Sequence, residues 1–406
     1  MDQLGPVKPR ERLVTLDILR GFALFGVLLG NLAHLYSGFF LAPHRPDGPA
    51  DFVASNIVTF LIQSKAQTLL TFLFGFGFAN QLLRAEERGE PIGGIYTRRI
   101  LALFGFGLLH VCLLWWGDVL WTYAVTAPFL LLFLRTSDRV RVIAAIALIL
   151  VPVVVFAIPQ VYEAVFSLAT THAAMDAHRQ AFAHAIHGSD HVALLKVQAT
   201  WAPYWSAGGW PQYFTWLIGN YLLGFVVGRR RWFDRDGADH LPAFRRLFWI
   251  GLVVGLGTWF VYVLQLSGLS HPRSTFGHVL FELNDTLDYV AIAFVYGCGL
   301  VLLAQRPRAR RVLAVVAPLG RMPLTTYLTQ SLVCTFLIYG WGLGWIEWMS
   351  ELGYLGLGVA LFAVQIVVSH VWLRYFRFGP LEWLWRWVVY LRRPPMRIAR
   401  DPDPAA

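Results

Sequence analysis

The chain has 406 residues and a net charge of +10, and it is 57% hydrophobic with only 14% charged residues. Soluble domains average about 25% charged residues, so a water-soluble, disordered, coiled-coil or disulfide-stapled secreted protein is excluded; Cys112, Cys298 and Cys334 all sit in apolar stretches and read as buried thiols. No nucleic-acid-binding signature accompanies the basic excess, which reads as an orientation signal and an attraction to anionic headgroups.

Apolar stretches of about 20 residues, each able to cross roughly 30 Å of hydrocarbon, recur along the chain. They predict spans near 13–36, 56–83, 99–116, 119–134, 142–165, 211–228, 247–268, 284–305, 323–342 and 354–373. The expected fold is all-α, a polytopic transmembrane bundle of about ten helices in two regions, 13–228 and 229–393. With the N-terminus cytoplasmic, only Arg45, Arg179, Lys196 and Arg273 of the 34 lysines and arginines fall on the far side, while Arg20 and Lys65 lie within spans. The positive-inside rule then puts both termini in the cytoplasm. No small-residue cleavage site follows span one, which is expected to stay in the mature protein.

In span one, Asp17, Arg20, Asn31 and His34 fall within a wedge of roughly 100° and form one polar seam. Asp17 and Arg20 suit a local i, i+3 salt bridge at the cytoplasmic end, and Asn31 and His34 lie near the periplasmic end. In span two, Lys65 is expected roughly 13 Å below the outer surface. Phe-Gly-Phe-Gly at 74–77 and again at 104–107 has no preceding strand, so it reads as close packing of spans two and three rather than as a nucleotide loop. His110 lies in the outer half of span three, and Asp118 follows in the Trp-Trp-Gly-Asp turn.

Asn31, His34, Lys65, His110 and Asp118 are thus expected at one depth. Such groups cost several kcal/mol in a membrane unless they are paired or line an aqueous cavity. The set suits acid/base chemistry, proton-coupled transport, or a buried network that fixes helix register.

The stretch 166–210 is expected to be periplasmic, with two amphipathic helices on the outer surface broken at Gly188-Ser189-Asp190, and could serve as a lid. It ends in Trp201, Tyr204, Trp205 and Trp210, suited to the headgroup level. Its histidines, His172, His178, His184, His187 and His191, suit solvated surface positions or, with Asp190, a metal site; no metal is expected. Glu282, Asn284, Asp285 and Asp288 open span eight, as first-turn acids favoured by the helix dipole or as a substrate-facing rim. Arg374, Arg377, Glu382 and Arg386 lie among Trp372, Trp383, Trp385 and Trp387. These suit an interfacial anchor helix with snorkelling arginines, or a phosphate clamp.

Several strings carry a resemblance. Leu16-Asp17-Ile18-Leu19-Arg20-Gly21, Lys65 followed by Leu73-Phe74-Gly75-Phe76-Gly77, His110 with Gly117-Asp118, and the C-terminal Gly320-Arg321-Met322-Pro323-Leu324-Thr325-Thr326-Tyr327 and Arg377-Phe378-Gly379-Pro380-Leu381-Glu382-Trp383 resemble the YeiB family of bacterial membrane proteins. The Asp-x-x-Arg-Gly opening is also similar to that of heparan-α-glucosaminide N-acetyltransferase and its relatives.

That resemblance implies an inner-membrane acyltransferase that moves an acyl group, acetyl above all, from cytoplasmic acyl-CoA to a small-molecule or glycan acceptor on the periplasmic side. His110 or His34 would be the general base, Asp118 would orient the imidazole, and Asn31 and Lys65 would stabilise the oxyanion. Asp17, Arg20, Gln330, Arg377, Glu382 and Arg386 are the candidate substrate- and cofactor-binding residues. The competing expectation is a proton-coupled transporter or exporter of a small, anionic molecule. The expected surroundings are the lipid bilayer, with no nucleic-acid partner and a homodimer as the commonest oligomer.

Overall fold

A computed structural model describes residues 13–37, 48–89, 91, 93–167, 171–267 and 274–398; side chains of 201–211 lie outside that description, and with them the expected aromatic cluster Trp201, Tyr204, Trp205 and Trp210. The described chain is helical, with one isolated bridge between Phe376 and Arg397. The helices are α1 (Val14–Asn31), α2 (Pro49–Leu61), α3 (Lys65–Arg88), α4 (Gly93–Leu113), α5 (Leu120–Thr126), α6 (Asp138–Ala157), α7 (Pro159–Ser167) and α8 (His172–His187). They continue as α9 (His191–Arg229), α10 (Leu241–Leu266), α11 (Thr275–Ala304), α12 (Pro307–Leu313), α13 (Ala317–Arg321), α14 (Pro323–Ile338), α15 (Glu351–Tyr375) and α16 (Pro380–Tyr390).

Among the described residues seven helices are long and apolar enough to cross a membrane, and an eighth crossing is possible for Pro307–Arg321 with Pro323–Ile338, bent by 80°. The protein is a multi-pass membrane protein. Three of the ten expected spans take other forms. The fourth is the short apolar helix Leu120–Phe133, whose second half tightens to a 3-10 helix around Pro128, a residue with no N–H to continue an α-helix. The sixth is the second half of the 39-residue α9. The ninth, expected at 323–342, is the 16-residue α14, bent by 80° from the helical stretch Pro307–Arg321 before it. Outward faces such as Val253, Leu256 and Phe260 of α10 or Val364 and Val367 of α15 remain exposed and apolar, as a lipid-facing surface requires.

Side-chain contacts fix which helix ends share a face. Arg229 pairs with Glu86, Arg230 with Asp138 and Arg231 with Glu87, which joins the ends of α9 and α3 to the start of α6. Asp236 accepts from the Thr15 N–H at 3.1 Å and pairs with Arg310, joining the start of α1 to α12. Arg98 donates to the Val389 carbonyl of α16. At the opposite face the Gly340 N–H donates to the Ile186 carbonyl, and Leu352 N–H donates to Asp51. One face is therefore basic, and the alternation matches the charge pattern of the sequence.

The close packing expected from Phe-Gly-Phe-Gly goes to different neighbours. A Cβ on Gly75 would sit 2.0 Å from the Tyr221 carbonyl oxygen, and one on Gly224 would sit 1.9 Å from that of Phe72, so α3 packs backbone to backbone on α9. Gly107 meets Trp121 at the start of α5, while a Cβ on Gly77 or Gly105 would meet nothing within 4 Å. Gly224→Ala is expected to cost at least about 1–3 kcal/mol by overpacking, and Gly105→Ala to be neutral or stabilising. Melting temperatures in detergent check both, and equal melting of the two variants would refute the packing argument.

The expected pair of surface helices becomes α8, broken from the next helix at Gly188, and the start of α9, which runs without a break into a span. Met175, Phe182, Ala185 and Ile186 of α8 are buried against the bundle end, with Phe182 edge-on to Trp116.

Candidate functional site

The polar seam of α1 faces a matching stripe on α3. On α1, Asp17, Arg20, Leu24, Val27, Asn31 and His34 recur at spacings of three and four, and on α3 so do Gln67, Leu70, Phe74, Gly77, Gln81 and Arg84. These two stripes wall a cavity of about 1050 Å³, at the upper end of the range for small-molecule sites. From Asp17 to His34 it follows about 26 Å of helix. Its basic-face end is lined by Arg20, Arg84, Arg99, Arg321 and Arg386, and its other end by Asn31, His34, Gln63, Glu282, Asp285 and Tyr289. Phe166 of α7 and Met175 and Arg179 of α8 also line it, so the expected lid region closes part of the wall.

His34 sits where α1 widens into a π-helical turn, Leu32–Tyr36. Its Nδ1–H donates to the Gly30 carbonyl at 3.3 Å, a contact that selects the tautomer with a basic Nε2. Asn31, one turn earlier on the same stripe, shares the cavity wall.

His110 and Asp118 form a buried dyad. His110 Nδ1–H donates to Asp118 Oδ1 at 2.7 Å, and Asp118 Oδ2 accepts from the Trp121 N–H at 2.9 Å, capping α5. His110 Nε2 is buried with no hydrogen-bond partner. Asp118 lines the cavity but His110 does not; it stands behind the wall, its ring centroid 5.2 Å from that of the cavity-lining Tyr327.

Lys65 is not paired with the His110–Asp118 dyad. Span two is broken at residues 62–64, with Ser64 at φ +62°, so Lys65 starts α3 instead of lying mid-helix. Its ammonium contacts Asp288 Oδ2 of α11 at 2.6 Å and donates to the Thr59 carbonyl, while Thr258 holds the other Asp288 oxygen. This is a buried ion pair that ties the α2–α3 break to α11. Lys65→Met alone should destabilise by about 3–5 kcal/mol, by leaving Asp288 buried and unpaired, and Lys65→Met with Asp288→Leu should restore most of it. A double variant no more stable than the single one in thermal melts would count against the pair.

The sequence put Glu282 and Asp285 in a first turn, but α11 begins at Thr275, capped by Ser274. They lie beyond the first turn and line the cavity. Asp17 pairs with Arg20 at 3.2 Å, as the i, i+3 spacing suggests. Glu382 is a cap: its carboxylate accepts from the Leu324 and Thr325 N–H groups and the Thr325 hydroxyl at the start of α14. Gln330 bonds to Gln365, and Arg377 bonds through its backbone to Met396; neither lines the cavity. Arg386 stacks on Phe378 and Arg99 on Trp385. The loop histidines are distributed: His172 contacts Glu163, His187 contacts Glu347, and His191 stacks on Trp341. No metal-binding group forms among the described residues.

Sequence reasoning missed Asp288 as the partner of Lys65 and missed the α3 stripe, whose polar members Gln67, Gln81 and Arg84 share one face of the helix at i, i+14 and i+17. A family model described as a protein of unknown function (DUF418) matches residues 227–392. The chain is 33% identical to "Uncharacterized protein YxaH" of Bacillus subtilis (strain 168), over 98% of each chain. It is 28% identical to "Uncharacterized 39.9 kDa protein in amylase 3'region" of Bacillus acidopullulyticus over 98% of this chain and 100% of the relative. It is 29% identical to "Uncharacterized protein YeiB" of Escherichia coli (strain K12) over 93% and 96%. No solved structure matches the chain.

Proposed function

The chain belongs to the YeiB family, and from that premise we propose that it is an inner-membrane acyltransferase carrying an acyl group from acyl-CoA at its basic, cytoplasmic face to an acceptor at the opposite face. The observation that carries this reading is the single cavity that joins an arginine-lined end to Asn31, His34 and Asp118. A donor and an acceptor from opposite sides of a membrane need such a shared interior.

His34 is the base in this reading, because it lines the cavity and a base must reach the proton it takes. Its Nε2 removes the acceptor hydroxyl or amine proton as the acceptor oxygen or nitrogen attacks the thioester carbonyl. The C–S bond then breaks, and the CoA thiolate leaves with that proton. Asn31 donates to the oxyanion. The His110–Asp118 dyad positions the turn that carries Asp118 and α5.

The test is release of free CoA from acetyl-CoA by detergent-purified protein. Slow release that His34→Ala abolishes is expected; release equal in His34→Ala and wild type would remove the proposal.

A cavity reaching toward both faces equally suits transport, with Glu282 and Asp285 in its wall and the Lys65–Asp288 ion pair behind it. Flux of an anion into proteoliposomes without acyl-CoA would favour that second reading.

A further inference from the structure

We propose that the basic-face end of the cavity is a binding site for the phosphate groups of an organophosphate, held by arginines from five different helices. Arg20 of α1, Arg84 of α3, Arg99 of α4, Arg321 of α13 and Arg386 of α16 all line this end, and each is half-buried. No local sequence feature joins them; the fold does.

Among the described residues two carboxylates, Asp17 and Glu382, line the same end, and both are engaged. Asp17 contacts Arg20, and both Glu382 oxygens accept hydrogen bonds from the start of α14. Among the described residues the lining of this end therefore holds five guanidinium groups and two carboxylates, and charged groups inside a membrane mark ligand paths. Arginine forks match phosphate oxygens two at a time. The stacking of Arg99 on Trp385 at 4.7 Å and of Arg386 on Phe378 at 4.4 Å uses the faces of the guanidinium groups, which orients their planes. Trp385 and Tyr390, in the same wall, supply aromatic surface for a nucleobase.

This deepens the acyl-CoA reading, whose donor bears such phosphates, yet it requires no acyl step. Isothermal calorimetry of CoA without an acyl group, of ADP and of inorganic pyrophosphate would measure it on the full-length protein in detergent. A second arm would use nanodiscs of phosphatidylcholine with and without phosphatidic acid. Arg84→Gln and Arg386→Gln should each weaken binding by about tenfold or more, the loss of a charge-assisted contact, and affinity should fall with salt. Arg99→Lys keeps the charge but loses the fork, so it should weaken binding with the melting temperature unchanged.

Binding of CoA or ADP in neutral nanodiscs identifies a soluble ligand. Competition by phosphatidic acid, lost in the same variants, identifies a lipid headgroup at the same site. Affinities unchanged in all three variants, or no binding of any of these phosphates, would overturn the site. Binding that persists while no variant or wild-type sample releases CoA from acetyl-CoA would remove the acyl-transfer reading alone.

Discussion

Replacing His34 with alanine is expected to lower acyl transfer by about 10²- to 10⁴-fold, the usual contribution of a positioned general base, with no change in melting temperature. The imidazole stands at the cavity wall, half-buried, and donates to the Gly30 carbonyl at 3.3 Å. Removing it opens space at a cavity rather than a void in packed core. His110→Ala should behave differently. It strips a buried carboxylate, Asp118, of its 2.7 Å partner, so it should lower stability by about 1–3 kcal/mol through the unsatisfied group. Parallel kcat and melting measurements separate the two histidines. If His110→Ala abolished turnover in a stable protein while His34→Ala kept full activity, the base would be His110, reached by displacement of the Tyr327 ring.

Gly77→Phe should stop transfer across the protein while leaving it folded. Gly77 stands midway along the α3 stripe, and a Cβ there meets nothing within 4 Å because it points into the cavity. Phenylalanine also improves on glycine within a helix, so α3 should hold. The aromatic ring would block the passage between the arginine-lined end and His34. A misplacement of about 1 Å already costs about 100-fold in rate, so a plug should cost at least that. Binding of CoA at the basic end should change by less than about threefold, since phosphate contacts lie away from residue 77. Undiminished CoA release in Gly77→Phe would show that the reaction does not use this passage, and lost CoA binding would show that the ligand reaches deeper than the arginines.

The membrane class, the helical fold, the basic face and the family were legible in the sequence, because each depends on local composition. Hydrophobic length sets a span, arginine placement sets its direction, and motif strings are read without folding. The seam of α1 was legible for the same reason: Asp17, Arg20, Asn31 and His34 share one face at 100° per residue whatever surrounds them. The Asp17–Arg20 pair and the break at Gly188 were likewise local.

Other features depended on which faces meet, and that was decided by tertiary packing. The glycines of Phe-Gly-Phe-Gly fixed a close approach but not its partner, and the bundle chose α9 and α5. Lys65 required a counter-charge, since an isolated ammonium is too costly in a membrane, yet only the fold selected Asp288 over Asp118. Glu382, a candidate ligand by sequence, was taken as the cap of α14 because its helix crosses there. The arginine-lined end draws on positions 20, 84, 99, 321 and 386. Periodicity reports the face that each side chain occupies along its own helix, whereas a cavity is defined by the absence of packing between helices distant in sequence.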